Sequence, residues 1–292
     1  MTKKIVNSRM IWTIKEVLNW TTQYLREKGC DTARLDAELL LAHSLGINRL
    51  RLYVNYDRPL SESERVNFRK LVKRRAAREP VALITGWKEF WSLKIAIMPG
   101  VLIPRPETEL LVETILEESR QIPNCSLLEI GCGSGALVCA IASERQDFAL
   151  YACDISLDAL KCASNNASKL VSSNPIYLFA SDLLESVRSI PLFDIIYSNP
   201  PYVPSGEINS LEPEIRYFEP RRALDGGVDG LETIRRLISM SRHTLKPKGK
   251  IIMEIGDSQS EDVSELLRLN DFHHIKTFVD LAGKCRVIKA VM

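Results

Sequence analysis

Apolar positions in the first 80 residues recur at helical spacing. Ile14, Val17, Leu18, Thr21 and Leu25 form one stripe, and Gly29 stops that segment. Asp31 or Thr32 can cap a second helix, whose stripe of Leu35, Leu39, Leu40 and Ala42 runs up to Gly46. A third short helix is predicted near Leu50–Tyr56. Ser61 opens a fourth, with Glu64 in the capping-box position. The C-terminal half of that helix carries Arg69, Lys70, Lys73, Arg74, Arg75 and Arg78. Four short helices over residues 1–80 predict a small bundle.

The pattern changes over residues 81–104. Leu93–Met98 and Val101–Ile103, placed around Pro99-Gly100, predict a β-hairpin or a connector between domains. Pro104-Arg105-Pro106-Glu107-Thr108-Glu109 then starts a helix with Leu110, Leu111, Thr114 and Ile115 as its apolar positions. Pro106 suits the first helical position, and the glutamates favour the helix dipole. From residue 126 onward strand and helix alternate. Strands are predicted at 126–130, 149–153, 175–180, 193–198, 249–255, 274–280 and 285–291, and helices at 135–145, 156–170, 229–245 and 258–269. Apolar strands alternating with helices predict a parallel sheet covered on both faces. Asp280–Lys284 is too short for a crossover, so the last two strands must pair antiparallel. The expected architecture is α/β: a seven-stranded Rossmann-like sheet with its last strand antiparallel, over residues 105–292, behind a small N-terminal helical bundle.

Composition agrees with two domains. The chain has 292 residues, 45% hydrophobic and 26% charged, which excludes a disordered chain, a collagen-like chain and a small disulfide scaffold. No apolar run approaches the roughly 20 residues needed to span a bilayer, so no membrane role is expected. Met1-Thr2-Lys3-Lys4 leads into polar residues without a signal-peptide core, and Glu16 argues against a presequence, so a cytoplasmic location is expected. Cys30, Cys125, Cys132, Cys139, Cys153, Cys162 and Cys285 form no Cys-x-x-Cys pair and no cluster with histidine. They read as small buried hydrophobes, with no metal expected. Charge is uneven. Residues 1–80 hold 17 Lys+Arg against 9 Asp+Glu, a net of +8, whereas the rest holds 22 against 28, a net of −6. A basic module suggests an anionic partner, either nucleic acid or an acidic protein surface; a solvated helix face is the plain alternative.

The candidate chemistry lies at predicted strand ends. Glu129-Ile130-Gly131-Cys132-Gly133-Ser134-Gly135 follows the first sheet strand and opens its helix. The glycines permit a tight turn and close approach of a ligand to the backbone. Asp154 ends the next strand, where a carboxylate can bind both ribose hydroxyls. Gly131-x-Gly133-x-x-Ala136 also fits a dinucleotide pattern, so this loop alone leaves NAD and S-adenosylmethionine open. Three features favour S-adenosylmethionine. The tight glycine cluster leaves no pyrophosphate cradle. Glu129 can act electrostatically on a cationic sulfonium and ammonium. Asp182, before Leu183, can accept from an adenine amino group, with a helix cap as its alternative reading.

Asn199-Pro200-Pro201-Tyr202 directly follows the fourth sheet strand, at the carboxyl edge where open α/β sheets bind ligands. Prolines alone could simply end a strand. An Asn and a Tyr bracketing a rigid diproline point instead to handling an amide or sp² nitrogen. The Asn199 side-chain oxygen and the Pro200 carbonyl can each accept one N–H of a substrate –NH₂, which orients a weakly nucleophilic nitrogen towards a methyl donor. Tyr202 can flank a planar amide or base. No strong general base is required, and the four histidines lie outside these motifs.

These residues carry a resemblance. Asn199–Tyr202 with the glycine loop is similar to amino-group methyltransferases acting on DNA adenine, RNA guanine or protein glutamine. Gly86-Trp87-Lys88-Glu89-Phe90, the Leu102–Glu109 run, Ala223–Leu231 and Asp280-Leu281-Ala282-Gly283-Lys284 narrow it: the chain resembles the release-factor glutamine methyltransferases (the HemK/PrmC family) over nearly its whole length. The resemblance implies a class I methyltransferase sheet. It also implies transfer of a methyl group from S-adenosylmethionine to the amide nitrogen of the Gly-Gly-Gln glutamine in class-1 peptide chain release factors, with S-adenosylhomocysteine leaving. Carried over by motif, Gly131, Cys132, Gly133, Ser134 and Gly135 border the cofactor with Glu129, and Asp154 holds the ribose. Asp182 and Leu183 frame the adenine, Glu107 and Thr108 line the cofactor side, and Asn199, Pro200, Pro201 and Tyr202 hold the glutamine. Leu183 stands where some relatives carry an aromatic residue, and Cys285 where an acidic one is expected. The implied domains are 1–80 for substrate recognition, 81–104 as a linker and 105–292 for methyl transfer. The basic front domain then has a role, since a glutamine on an exposed loop offers little binding area and Arg69, Lys73 and Arg74 could add contacts elsewhere on the release factor.

The main competing reading is a nucleic-acid methyltransferase flipping adenine or guanine into the same pocket. It needs a basic groove beside the site, and residues 81–292 are net −6. No direct nucleic-acid partner is therefore expected. A non-catalytic nucleoside-binding regulator and an NAD-linked oxidoreductase account for less, since neither requires the Asn199–Tyr202 loop. A monomer is the default expectation.

Overall fold

Thr13 caps the first helix of the bundle. Its hydroxyl accepts from the Glu16 amide at 3.3 Å, while its own amide donates to the Glu16 carboxylate at 2.7 Å, closing a capping box on α1 (Ile14–Glu27). The structure, a computed structural model, describes residues 12–171 and 174–292, so the polar Met1–Lys4 opening lies outside the described residues. All five apolar positions predicted for α1 are buried. α2 (Ala33–Leu45) is the central helix, packed against α1, α3 (Arg49–Val54), α4 (Glu62–Ala76) and α5 (Val81–Thr85). Because it has neighbours on several sides, its buried arc is wider than the predicted stripe. Ala33, Ala37, Leu41, Asp36 and Glu38 are buried as well as Leu40 and Ala42, whereas Leu35 is 40% exposed. Ser61 and Glu64 form the predicted capping box on α4.

The chain divides into two units, Met1–Gly86 and Trp87–Met292. The first extends past residue 80 because Val81–Thr85 packs as a fifth helix on α2 and α4, until Gly86 turns left-handed at φ 80°. Arg75, which the sequence places on the basic face, is instead buried: its Nε donates to Asp36 at 2.7 Å, with both side chains about 5–6% exposed. Arg69, Lys70, Lys73 and Arg74 remain exposed.

The second unit opens with a hairpin, β1 (Trp87–Phe90) against β2 (Leu93–Ala96), in the register Trp87↔Ala96 and Phe90↔Leu93. The predicted partners were Leu93–Met98 and Val101–Ile103; the latter is not a strand, although Val101 and Ile103 are buried. The actual turn is Trp91-Ser92, with φ 51° and 57°. Those angles suit a two-residue hairpin turn but lack the Gly or Asn that would announce it. Pro106 then opens a 3₁₀ turn, Pro106–Thr108, leading into α6 (Glu109–Glu118).

The sheet follows with β3 (Ser126–Ile130), α7 (Ala136–Glu144), β4 (Ala149–Asp154), α8 (Leu157–Leu170), β5 (Ile176–Ala180) and β6 (Phe193–Ser198). After α9 (Pro213–Phe218) and α10 (Glu232–Ser241) come β7 (Leu245–Glu254), α11 (Ser260–Leu269), β8 (His273–Val279) and β9 (Cys285–Val291). The strand order is β5-β4-β3-β6-β7-β9-β8. β9 lies antiparallel between β7 and β8, and the other pairings are parallel. All seven predicted strands are present. β7 starts earlier than predicted, at Leu245, because a bulge separates its pairing with Phe193 from that with Ile195. α10 starts later than predicted, because Gly226–Gly230 is a loop. Leu128, Ile130, Ile196, Ile251, Met253 and Ile288 are among the fully buried residues of one core.

The sheet winds outward in both directions from β3 and β6. Ile130 is level with Ser198, so the loops after these two strands leave the same edge side by side at the point where strand order reverses.

Asp36→Ala removes the carboxylate to which the buried Arg75 Nε donates. Asp36→Ala is expected to lower the unfolding free energy by about 3 kcal/mol or more, read by urea denaturation of the full chain. A loss below about 1 kcal/mol, the scale of an exposed pair, would show that Arg75 finds other compensation.

Candidate active site

The glycine loop connects β3 to α7, a helix buried from Ala136 to Ala142. Gly131, Gly133 and Gly135 have φ of 73°, 53° and 75°, a conformation that side chains other than glycine resist. A Cβ on Gly131 or Gly133 would meet nothing within 4 Å, so the backbone there is bare. Gly135 differs: its Cβ would stand 2.9 Å from the Ala163 Cβ. It serves helix packing and does not line the cavity, where Gly131, Cys132, Gly133 and Ser134 do.

Asp154 ends β4 and braces this loop. One carboxylate oxygen accepts from the Gly133 amide at 2.9 Å and the other from the Ser156 amide at 2.8 Å. Lone pairs remain on both oxygens for a ligand's hydroxyls. Asp182 and Leu183 line the same cavity after β5. The Asp182 carboxylate caps no helix; it accepts from Arg236 at 3.0 Å, and Leu183 is held at φ 48°. Glu129, on β3, lines the cavity floor but is only 1% exposed. Burial pushes its carboxyl well up from the ordinary range, against the opposing effect of the Val138 amide and the Tyr197 hydroxyl.

Asn199, Pro200 and Pro201 form the wall after β6. The Asn199 side-chain nitrogen donates to the Thr108 hydroxyl at 3.3 Å, and that hydroxyl donates to the Glu254 carboxylate at 2.7 Å. The Tyr202 hydroxyl donates to the other Glu254 oxygen at 3.2 Å. Burial raises the carboxyl of Glu254, with the Thr108 and Tyr202 hydroxyls opposing; burial raises the Tyr202 phenol too, reinforced by Glu254. Tyr202 therefore does not line the cavity, unlike its expected flanking position. Its ring packs against the sheet core because its hydroxyl is drawn to Glu254. Glu107 is exposed and outside the lining as well, while Thr108 is inside it.

A second loop supports the first. The Gln259 side-chain nitrogen donates to the Tyr202 carbonyl at 3.0 Å and to the Gly230 carbonyl at 3.3 Å, while its oxygen accepts from the Gly256 amide at 2.9 Å. Val203 and Leu224 are linked by a backbone bond of 2.9 Å, and Gly226 donates to Val203 at 2.8 Å. A Cβ on Gly226 would lie 2.6 Å from the Gly230 oxygen and 2.8 Å from that of Pro201. The Ala223–Leu231 motif is thus a close backbone buttress for the diproline loop.

The cavity enclosed by these elements measures about 360 Å³, within the range of small-molecule sites. Arg105, Arg222 and Arg236 also line it. Arg105 donates to Glu219 at 2.6 Å, and burial raises the Glu219 carboxyl against the opposing Arg105 charge. Sequence reasoning assigned no role to Glu254, Gln259, Glu219 or Arg236. For Glu254 a signal existed, since a carboxylate ending the apolar run Ile251-Ile252-Met253 sits at the same sheet edge as Asp154 and Asn199.

Residues 16–86 match the family model described as the PrmC N-terminal domain, and residues 106–212 match the methyltransferase small domain. A methyltransferase structure from Pyrococcus furiosus shares the fold at a TM-score of 0.51, with 19% identity, covering 68% of this chain and 88% of that one. The second unit is therefore a class I methyltransferase domain, a class that uses S-adenosylmethionine. The bare glycine backbone, the braced Asp154 carboxylate and the size of the cavity fit that cofactor. Over the whole chain, identity is 40% across 282 residues with the release factor glutamine methyltransferase of Rhodopirellula baltica, covering 95% of each. It is also 40% across 279 residues with that of Geobacter sulfurreducens, covering 95% of this chain and 96% of the relative. The chain belongs to the release factor glutamine methyltransferase family.

Gln259→Leu would leave the Tyr202 and Gly230 carbonyls without their donor. A loss of about 2 kcal/mol in unfolding free energy is expected, measured by chemical denaturation. Unchanged stability would mean that the two loops hold each other without Gln259.

Proposed function

We propose that this protein transfers a methyl group from S-adenosylmethionine to the side-chain amide nitrogen of the Gly-Gly-Gln glutamine of class-1 peptide chain release factors, modulating translation termination. The observation that carries the reading is the disposition of Asn199: its amide nitrogen is occupied by Thr108, which leaves its oxygen as an acceptor at the cavity wall.

S-adenosylmethionine, when bound, supplies a methyl group on a cationic sulfur. Gly131, Cys132, Gly133 and Ser134 would hold it by their backbone, Asp154 by its ribose, and Asp182 with Leu183 at the adenine. The Asn199 side-chain oxygen and the Pro200 carbonyl accept the two N–H groups of the glutamine amide. Two acceptors orient the nitrogen lone pair towards the methyl group and favour the positive charge that develops on nitrogen. The prolines keep these acceptors rigid, so little reorganisation is needed during transfer. The proton leaves to solvent afterwards, and no histidine is required. Glu129 lines the same cavity, where burial favours its neutral form over the anion that would act on a cationic sulfur.

The basic bundle is the docking element in this reading. Arg74 is occupied by Glu79 in an ion pair, so exposed Arg69 and Lys73 carry the free positive charge towards an acidic patch of the release factor. Action on a translation factor also implies a cytoplasmic location. No described helix is long and apolar enough to cross a membrane.

Mass spectrometry of a purified class-1 release factor incubated with the protein and S-adenosylmethionine is expected to show one added methyl, mapped to the Gly-Gly-Gln glutamine. Methylation of adenine or guanine in its place would favour the nucleic-acid alternative. Asn199→Ala is expected to lower kcat by about a hundredfold or more while S-adenosylmethionine binding persists; full activity would remove the amide-holding role. Reversing charge at Arg69 and Lys73 should raise KM for whole release factor about tenfold without changing it for a short Gly-Gly-Gln peptide. Equal effects on both substrates would exclude the docking role.

A further inference from the structure

We propose that Glu254 is a positioning residue that sets which way the Asn199 amide faces, acting through the Thr108 hydroxyl. The inference rests on the reading of Asn199 as acceptor of the substrate amide.

Glu254 closes β7 and is 2% exposed. Its two oxygens receive two hydroxyl protons, from Thr108 at 2.7 Å and from Tyr202 at 3.2 Å. A hydroxyl has one proton to give. Once the proton of Thr108 is directed at Glu254, the Thr108 oxygen can only accept from its other neighbour, Asn199. That neighbour must then present its –NH₂, and the contact is Asn199 nitrogen to Thr108 oxygen at 3.3 Å. Turning the Asn199 amide over would set its oxygen against an oxygen with no proton left. The carboxylate thus selects one of two amide orientations that are nearly equal in shape. The selected orientation leaves the Asn199 oxygen as the acceptor available to an incoming –NH₂.

A carboxylate is suited to this task where an amide is not. In its ionised form a carboxylate only accepts and holds both hydroxyls as donors, and the Thr108 and Tyr202 hydrogen bonds favour that form against the burial that raises the Glu254 carboxyl. Glutamine at position 254 would bring its own N–H donors. Thr108 could then accept from residue 254 and turn its proton to Asn199, which would admit the flipped amide. The Thr108 hydroxyl is brought to this relay by the turn Pro106–Thr108, which gives the Pro104–Glu109 motif a role in transfer beyond starting a helix.

The test compares wild type, Glu254→Gln, Thr108→Val and Thr108→Ser in steady-state methylation of an intact class-1 release factor, with S-adenosylmethionine affinity measured separately by calorimetry. Glu254→Gln and Thr108→Val are expected to lower kcat about tenfold to a hundredfold. KM for the release factor and the cofactor dissociation constant should stay within about threefold in Glu254→Gln. Thr108→Ser, which keeps the hydroxyl, is expected to restore kcat to within about threefold of wild type. A purely structural role would weaken cofactor binding along with kcat and would not discriminate serine from valine; that pattern overturns the proposal. If Glu254→Gln does not fold, the serine and valine pair at Thr108 decides the matter alone. An active wild type beside fully active Glu254→Gln and Thr108→Val removes this inference only. A wild type that methylates no release-factor glutamine removes the substrate reading and this inference with it.

Discussion

The parallel register of β3 with β6 is the constraint on which the rest of the site depends. Ile130 lies level with Ser198, and the residues that follow them are the glycine loop and the Asn199–Tyr202 loop. Neither loop has chemistry alone. The glycines offer bare backbone, and the diproline segment offers fixed acceptors. Because strand order reverses between these two strands, no helix crosses the crevice above them, and the two loops face one cavity. β6 is buried at every position except Asp194, whose carboxylate accepts from the Ser126 amide at 2.8 Å and pairs with Lys246 at 2.7 Å, tying the start of the strand to both of its neighbours.

Buried polar groups then give that cavity its detail. Glu254 gathers Thr108 and Tyr202, Gln259 joins the carbonyls of Tyr202 and Gly230, and Asp154 braces the amide of Gly133. Each satisfies its partners across a long sequence separation, and in a low-dielectric interior an unmet partner would be costly. The network therefore favours one arrangement of the loops over several near-equivalent ones. The helical unit uses the same device in its own core, where Asp36 and Arg75 meet under α2.

Legibility in the sequence followed the range of the interaction. The capping box at Ser61–Glu64, the stripe of α1 and the seven sheet strands are encoded within a few residues and are readable in the sequence, whereas the Thr13–Glu16 box emerges only in the structure. The hairpin differs from the expected one because its turn places Trp91 and Ser92 in left-handed conformations that neither residue advertises. A single helical stripe places Leu35 in the core, whereas α2 has neighbours on several sides and leaves it exposed. Tyr202 and Glu107 fall outside the cavity lining for a comparable reason. Their motifs name them, but the direction of a side chain depends on what lies across from it: for Tyr202 this is Glu254, and Glu107 faces solvent.

The sequence by itself determined the types of element, the glycine loop after the first sheet strand with Asp154 ending the next, and the rigid Asn199–Tyr202 segment at the sheet edge. These are properties of local backbone conformation and of periodicity, which neighbouring residues impose on one another. Only the tertiary structure decided that Gly135 packs against Ala163 while Gly131 and Gly133 stay bare, that Arg75 is buried, and that Thr108, Glu254 and Asn199 share one relay. The reason is physical: a hydrogen bond is fixed by donor and acceptor positions to within a few tenths of an ångström, and those positions exist only once distant strands and helices have closed on a common core.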